Sequence, residues 1–445
     1  MATPQQTNAP KASELQQVNQ RRPAKSMRPS GPFGRLVKLI GPGVITGASD
    51  DDPSGIGTYS MAGASLGYSM LWCAWITFPL MFAIQYICAR VGLASGEGLA
   101  AALNRRFSRK LVFVVVLSLV IANTINAGAD IVAIAAGINL LIPIRVSALI
   151  LPVSVLIVVL QIWGSYQLIA NIFRWLCLSL LAYIASSFLA HPSWRQVACG
   201  TLVPTIHFDR TSLSMLVAVL GTTISPYLFF WQASQEVEEK RAHGRGRLWQ
   251  RRGATDEEVQ YRAWDVGVGM FFSNVVMFFI ILASAATLNR AGQTDIGSAQ
   301  DAAEALRPLA GDAAAILMAL GLIGTGLLAV PILTGSAGYA VCETFHWPCS
   351  LNAKPHKAKE FYIVLVASTA GGLLIDFLGV KPMQALFWTA VINGFLAPPL
   401  LVLVMLVANN KQIMGKRVNG WTLNILGWTT AVVMFAAAIG LVLTW

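Results

Sequence analysis

Long apolar runs separated by short polar ones fill this chain. They predict helices over about 36–66, 70–94, 111–141, 146–163, 167–190, 211–238, 264–288, 312–340, 360–378, 382–408 and 421–444. A hydrocarbon core about 30 Å thick is crossed by about 20 helical residues, so each run is long enough to span a bilayer. The pattern predicts an all-α membrane protein with eleven spans. Residues 1–32 are polar, rich in Gln, Pro and Ser, and carry no apolar signal-peptide region. They are expected to form a disordered cytoplasmic tail before a single transmembrane domain, 33–445.

Two runs are interrupted at their centres. The first carries Asp50-Asp51-Asp52-Pro53-Ser54-Gly55 between apolar, glycine-rich flanks. A carboxylate at mid-bilayer costs roughly 3 kcal/mol or more, so three in a row require a reason. Pro53 breaks the helix near Asp52, and the break leaves carbonyls without partners at the negative end of the first half-helix. Carboxylate and free carbonyls together make a cation site. The sixth run repeats the device with Gly221-Thr222-Thr223-Ile224-Ser225-Pro226-Tyr227. Breaks five spans apart predict two inverted repeats, 33–190 and 211–408, with 421–444 as an added helix.

Composition agrees, with 55% hydrophobic and 12% charged residues. The net charge of +11 could suggest nucleic acid, but its placement argues against that. With the N-terminus inside, only six of the 32 lysines and arginines fall outside: Arg145, Arg195, Arg210, Arg290, Arg307 and Lys381. That bias predicts a cytoplasmic N-terminus, an external C-terminus and a bacterial inner (plasma) membrane location, with the lipid bilayer and no nucleic acid as partner. Oligomeric state is left open. The longest inside loop, Glu236 to Arg262, mixes both charge signs and is expected to be a solvated surface helix touching anionic lipid, with regulator docking as the alternative. Six cysteines show no metal-type spacing, and the five histidines fall in loops or at span edges. No nucleophile–base pair or catalytic metal motif supports an enzyme.

Several motifs appear in order between Gly41 and Asn409. They are Gly41-Pro42-Gly43 with Asp52-Pro53-Ser54-Gly55; Gln85-Tyr86, Arg90-Val91-Gly92, Ser95-Gly96 and Leu99-Ala100; Ala129-Asp130 and Asn139-Leu140-Leu141; and Gly321-Leu322, Thr334-Gly335 and Ala337-Gly338. The set resembles the NRAMP divalent-metal transporters. That resemblance implies a LeuT-type fold, with the ion as substrate and no cofactor.

Departures from the family pattern fall in its metal site. Carried over by motif, the aspartate is Asp52, the asparagine position is Gly55, the carbonyl position is Thr222, the methionine position is Ser225 and the histidine position is Tyr227. Of the two span-three acids that the resemblance links to protons, the second is Asp130 and the first falls at Ala127. The span-ten glutamine is missing, and Asn393 is its polar stand-in. Losing a thioether removes a soft ligand that favours transition metals, and fewer protein ligands leave room for the water that Mg²⁺ keeps. The pattern resembles the NRAMP-related magnesium transporters and implies import of Mg²⁺, with Mn²⁺ also carried, by alternating access without protons. The alternatives are a proton-coupled Mn²⁺/Fe²⁺ importer and a relative that binds an organic solute. The expected ligands are Asp52, Thr222, Ser225 and Gly55. Asp50, Asp51, Ser54, Tyr227, Asp130 and Asn393 flank the pathway, and Pro53 and Pro226 make the breaks. Asp50 and Asp51 are expected either to widen the negative field or to line an inner vestibule as solvated acids.

Overall fold

The structure, a computed structural model, describes residues 41–163, 178–373 and 381–444, so the predicted tail lies outside the described residues. The described residues are helical, with no strand among them. Span one is two helices, α1 (Pro42–Asp50) and α2 (Pro53–Leu66). Span two is α3 (Trp72–Ser95), followed by the short α4 (Leu99–Asn104). Spans three and four are α5 (Arg109–Leu141) and α6 (Val146–Trp163). The described end of span five is α7 (Ala182–Leu189), and α8 (Trp194–Leu202) links the two halves. Span six is again two helices, α9 (Arg210–Thr223) and α10 (Pro226–Ala242). Then come α11 (Asp256–Ser284), α12 (Ala314–Phe345), α13 (Lys359–Leu373), α14 (Pro382–Ala408) and α15 (Trp421–Leu443).

Eight of these segments are long and apolar enough to cross a membrane. The other three predicted spans are the broken first one and spans five and nine, which run into residues 164–177 and 374–380, outside the described residues. Span six is the most enclosed, with 94% of its apolar window buried against 28% for α6. Its position at the centre puts its break among protein atoms, where unpaired backbone is tolerated.

The proline breaks share one backbone geometry. Asp51 (φ −84°, ψ 48°) and Ile224 (φ −112°, ψ 59°) end the first halves, and Asp52 (φ −66°, ψ 171°) and Ser225 (φ −78°, ψ 126°) are extended. A proline pushes the residue before it to extended backbone and takes the first helical position of the next half, where no donor is missed. At 1.5 Å per residue the nine-residue α1 covers about 14 Å and the 14-residue α2 about 21 Å, so neither half crosses the core alone. The helices pack with the symmetry of inverted repeats: α1 and α2 lie on α11 as α10 lies on α3, and α5 pairs with α12 across the middle. Glycines permit close crossings. A Cβ on Gly43 would lie 2.6 Å from the Val266 nitrogen, and one on Gly221 would strike the Ala390 carbonyl of α14.

The stretch Glu236 to Arg262 is not one solvated surface helix: its middle is largely exposed, but charges at both ends are buried. Helix α11 starts at Asp256, eight residues before the predicted span, because Thr255 and Glu258 form a reciprocal capping box. Helix α10 runs on to Ala242, and Glu236, Glu238, Lys240, Arg251 and Arg262 are buried. Arg262 pairs through Nε with Glu236 (2.7 Å), through Nη1 with Asp265 (2.6 Å), and also with Glu239. Asp265 in turn accepts the backbone N–H groups of Gly41 (2.9 Å), Gly43 (2.8 Å) and Val44 (3.3 Å), an anion on the free donors of α1. Thr46 donates to Gln232 (2.7 Å), which donates to Glu236 (2.8 Å), closing the circuit from α1 to α10. Charges that read as a lipid-facing loop therefore fix the start of span one.

Asp265→Ala leaves Arg262 short of a partner and the start of α1 uncapped. Breaking a buried pair from one side costs about 3 kcal/mol, so the thermal midpoint in detergent is expected to fall clearly; an unchanged midpoint contradicts this role.

Candidate functional site

The two breaks face each other, and hydrogen bonds join them. Asp52 is the N-cap of α2, and its Oδ1 accepts the Gly55 N–H (2.7 Å) and the Ser54 hydroxyl (2.6 Å). The hydroxyls of Ser54 and Thr222 are 3.3 Å apart. Since the Ser54 hydrogen is committed to Asp52, Thr222 is the donor of that pair. From α10 the Tyr227 hydroxyl donates to the Ser49 carbonyl at the end of α1 (3.0 Å) and reaches Asp52 Oδ2 (3.3 Å). A carboxylate has about four acceptor positions, and three donors approach this one, leaving capacity chiefly on Oδ2.

Ser225 acts differently from a free ligand. Its hydroxyl donates to the Thr222 carbonyl (2.6 Å) and the Gly221 carbonyl (3.0 Å), so it caps the end of α9 and occupies one lone pair of Thr222. No hydrogen bond joins it to Asp52 among the described residues. Gly55 lies against the same wall: a Cβ there would be 3.2 Å from the Asp50 carbonyl and 3.5 Å from the Thr222 hydroxyl. Asp52, Ser54, Gly55, Thr222, Ser225 and Tyr227 thus meet around Pro53 and Pro226. Every side-chain atom of that group able to bind a cation is oxygen.

Asp50 and Asp51 turn away from this group. Both are buried, which rules out solvated acids lining a vestibule. Asp50 Oδ2 (2.7 Å) and Asp51 Oδ1 (3.2 Å) approach one hydroxyl, Ser273 on α11, and their other oxygens have no partner among the described residues. The unwound turn at Asp51 carries both side chains past the end of α1 towards α11. Among the described residues no three His, Cys, Asp or Glu side chains converge as a metal cage.

Asp130 on α5 is buried beside the Ser54 backbone and near Asp52, and neither of its oxygens has a hydrogen-bond partner among the described residues. Asn393 on α14 is buried, its amide nitrogen is without a partner among the described residues, and it makes no hydrogen bond to Asp52, Thr222 or Ser225. Sequence reasoning missed Asn126, which lies on α5 one turn before Asp130, beside the Asp52 carboxyl group. It also missed Ser273 and the Asp265–Arg262 anchor. Asn126 was detectable: Asn123, Asn126 and Asp130 recur at helical spacing within an apolar span, where polar residues mark function.

Comparisons with known proteins follow this geometry. A divalent metal cation transporter, MntH, from Klebsiella pneumoniae (strain 342) is 26% identical over 409 residues, covering 90% of this chain and 93% of its own. Among solved structures, a manganese transporter from Eremococcus coleocola, in complex with an aromatic bis-isothiourea substituted compound, superposes with a TM-score of 0.70 at 19% identity, over 92% of this chain and 87% of that one. Mhp1, a nucleobase-cation-symport-1 family transporter, superposes with a TM-score of 0.55 at 14% identity, over 92% and 93% of the two chains. These likenesses show the LeuT-type fold. Residues 43–444 match the family described as natural resistance-associated macrophage protein-like, and the chain belongs to that Nramp family of integral, multi-pass membrane proteins.

Proposed function

We propose that this chain carries divalent metal cations inward by alternating access, favouring Mg²⁺ and also passing Mn²⁺, without moving protons. The ion is substrate, not cofactor. Asp52 is the charged ligand, Thr222 adds its carbonyl or hydroxyl, Ser225 shapes that carbonyl, and water completes the shell of the ion. The observation that supports this reading best is the hydrogen-bonded group around Asp52, which among the described residues brings together hydroxyl, carbonyl and carboxylate oxygens with no thioether or imidazole bonded to them. Oxygen donors suit a hard ion that dehydrates reluctantly, and without sulfur the preference for transition metals weakens. Tyr227 at the histidine position and Ala127 at the first acid position leave fewer groups able to carry a proton. Inward flow would follow the concentration gradient and the potential, worth about 2.3 kcal/mol per charge per 100 mV. The basic-residue bias supports an N-terminus on the inside.

In proteoliposomes the chain is expected to take up Mg²⁺ and Mn²⁺ with no acidification of the lumen, and Asp52→Ala to abolish both fluxes. Mn²⁺ entry with acidification and refusal of Mg²⁺ would establish the proton-coupled alternative. Ser225→Met releases the Thr222 carbonyl and adds a soft sulfur, so it should raise the preference for Mn²⁺ over Mg²⁺ in competition uptake. An unaltered ratio argues against Ser225 as a determinant of ion choice.

A further inference from the structure

We propose that Asn126 is a ligand of the transported cation, supplying from span three the carboxamide oxygen that the Gly55 position lacks. This deepens the transport reading and rests on it.

The starting observation is an amide left without bonds. Asn126 is fully buried, and neither its oxygen nor its nitrogen has a hydrogen-bond partner among the described residues. Leaving a buried polar group unpaired costs about 1–3 kcal/mol, so asparagines inside helices normally find a carbonyl. Several others in this molecule do, although Gln85 on α3 is likewise buried without a partner among the described residues. Asn123, one turn away on the same helix, donates to the Leu333 carbonyl of α12 (3.0 Å). Asn274 on α11 donates to Met270 (2.8 Å), and Asn289 donates to Ala64 (2.8 Å). Asn126 is therefore not one more amide knitting helices together.

Its position says what it is free for. The side chain lies beside the Asp52 carboxyl group, and neither of its polar atoms is bonded among the described residues. One turn along α5 is Asp130, its two oxygens equally unengaged. Asp52 spends much of its acceptor capacity on Ser54, Gly55 and Tyr227. A buried dication next to it lacks both charge and oxygens. The α5 face offers an amide oxygen from Asn126 and a second negative charge from Asp130. Hard cations take amide and carboxylate oxygens together. The span-three amide thus does from one side of the ion what a longer side chain at residue 55 would do from another.

The test is isothermal titration of the full chain in detergent with Mg²⁺ and with Mn²⁺, alongside flux in proteoliposomes. Asn126→Leu keeps the volume and removes the oxygen, and is expected to weaken binding of both ions about 10–100-fold. Asn126→Asp keeps an oxygen but no N–H, and should bind Mg²⁺ at least as tightly as the parent. A residue that merely donates to Asp52 would behave otherwise, because the added carboxylate would repel Asp52 and binding would drop in the Asp variant as in the Leu variant. Parental affinity in Asn126→Leu, or loss of binding in Asn126→Asp with the fold intact by thermal unfolding, overturns the proposal. If Asn126→Leu does not fold, the Asp variant alone decides. A parent chain that binds neither ion instead overturns the transport reading itself, so the two failures are distinguishable.

Discussion

Inside a bilayer a backbone carbonyl that loses its helical donor has no water to turn to, and Pro53 and Pro226 each impose that loss at mid-span. Most of the molecule can be understood as the means of keeping the two losses together and sheltered. The residue before each proline is driven extended, and the two turns therefore match, although Asp51-Asp52 and Ile224-Ser225 have nothing in common as side chains. Because the helices run in inverted repeats, the end of α1 and the end of α9 come to opposite sides of one small polar region, where Tyr227 and Thr222 stitch them.

The molecule treats its buried charges in two ways. Where the role is mechanical, every charge is answered. Arg262 meets three carboxylates, Asp265 meets three backbone donors besides, and Lys240 donates to the carbonyls of Leu93, Arg251 and Gly253. Such clusters give little net stability, but losing one member is expensive, and this fixes the short α1 in position. At the breaks the reverse holds. Asp130 and Asn126 have no partners among the described residues, and the three donors on Asp52 leave acceptor capacity on its carboxylate. Bonded ion pairs build the frame, and at the breaks a carboxylate and an amide are left without partners among the described residues.

Much of this was legible in the sequence. The runs gave the eight long apolar segments seen among the described residues, and Asp52-Pro53 and Ser225-Pro226 gave the breaks, because proline's effect on backbone is local and needs no knowledge of neighbours. Other features depended on direction, which linear order does not carry. Glu236 to Arg262 reads as an ordinary charged loop until the Thr255–Glu258 cap starts α11 early and turns Arg262 towards α10. Asp50 and Asp51 sit beside Asp52 in the chain yet face α11, since the turn at Asp51 sends them there. The hydroxyl of Ser225 looked like a free ligand and instead bonds to the carbonyl three residues back. Asn126 was within reach of sequence reasoning through its spacing from Asp130, and only its closeness to Asp52 required coordinates.

The most direct measurement is the anomalous scattering of Mn²⁺ in crystals of the full chain. A single strong peak is predicted between the Asp52 carboxylate and the backbone of residues 222–225, on the side facing Asn126. A peak elsewhere, or none at this position in crystals that hold Mn²⁺ at another, would contradict a cation site made by the two broken spans.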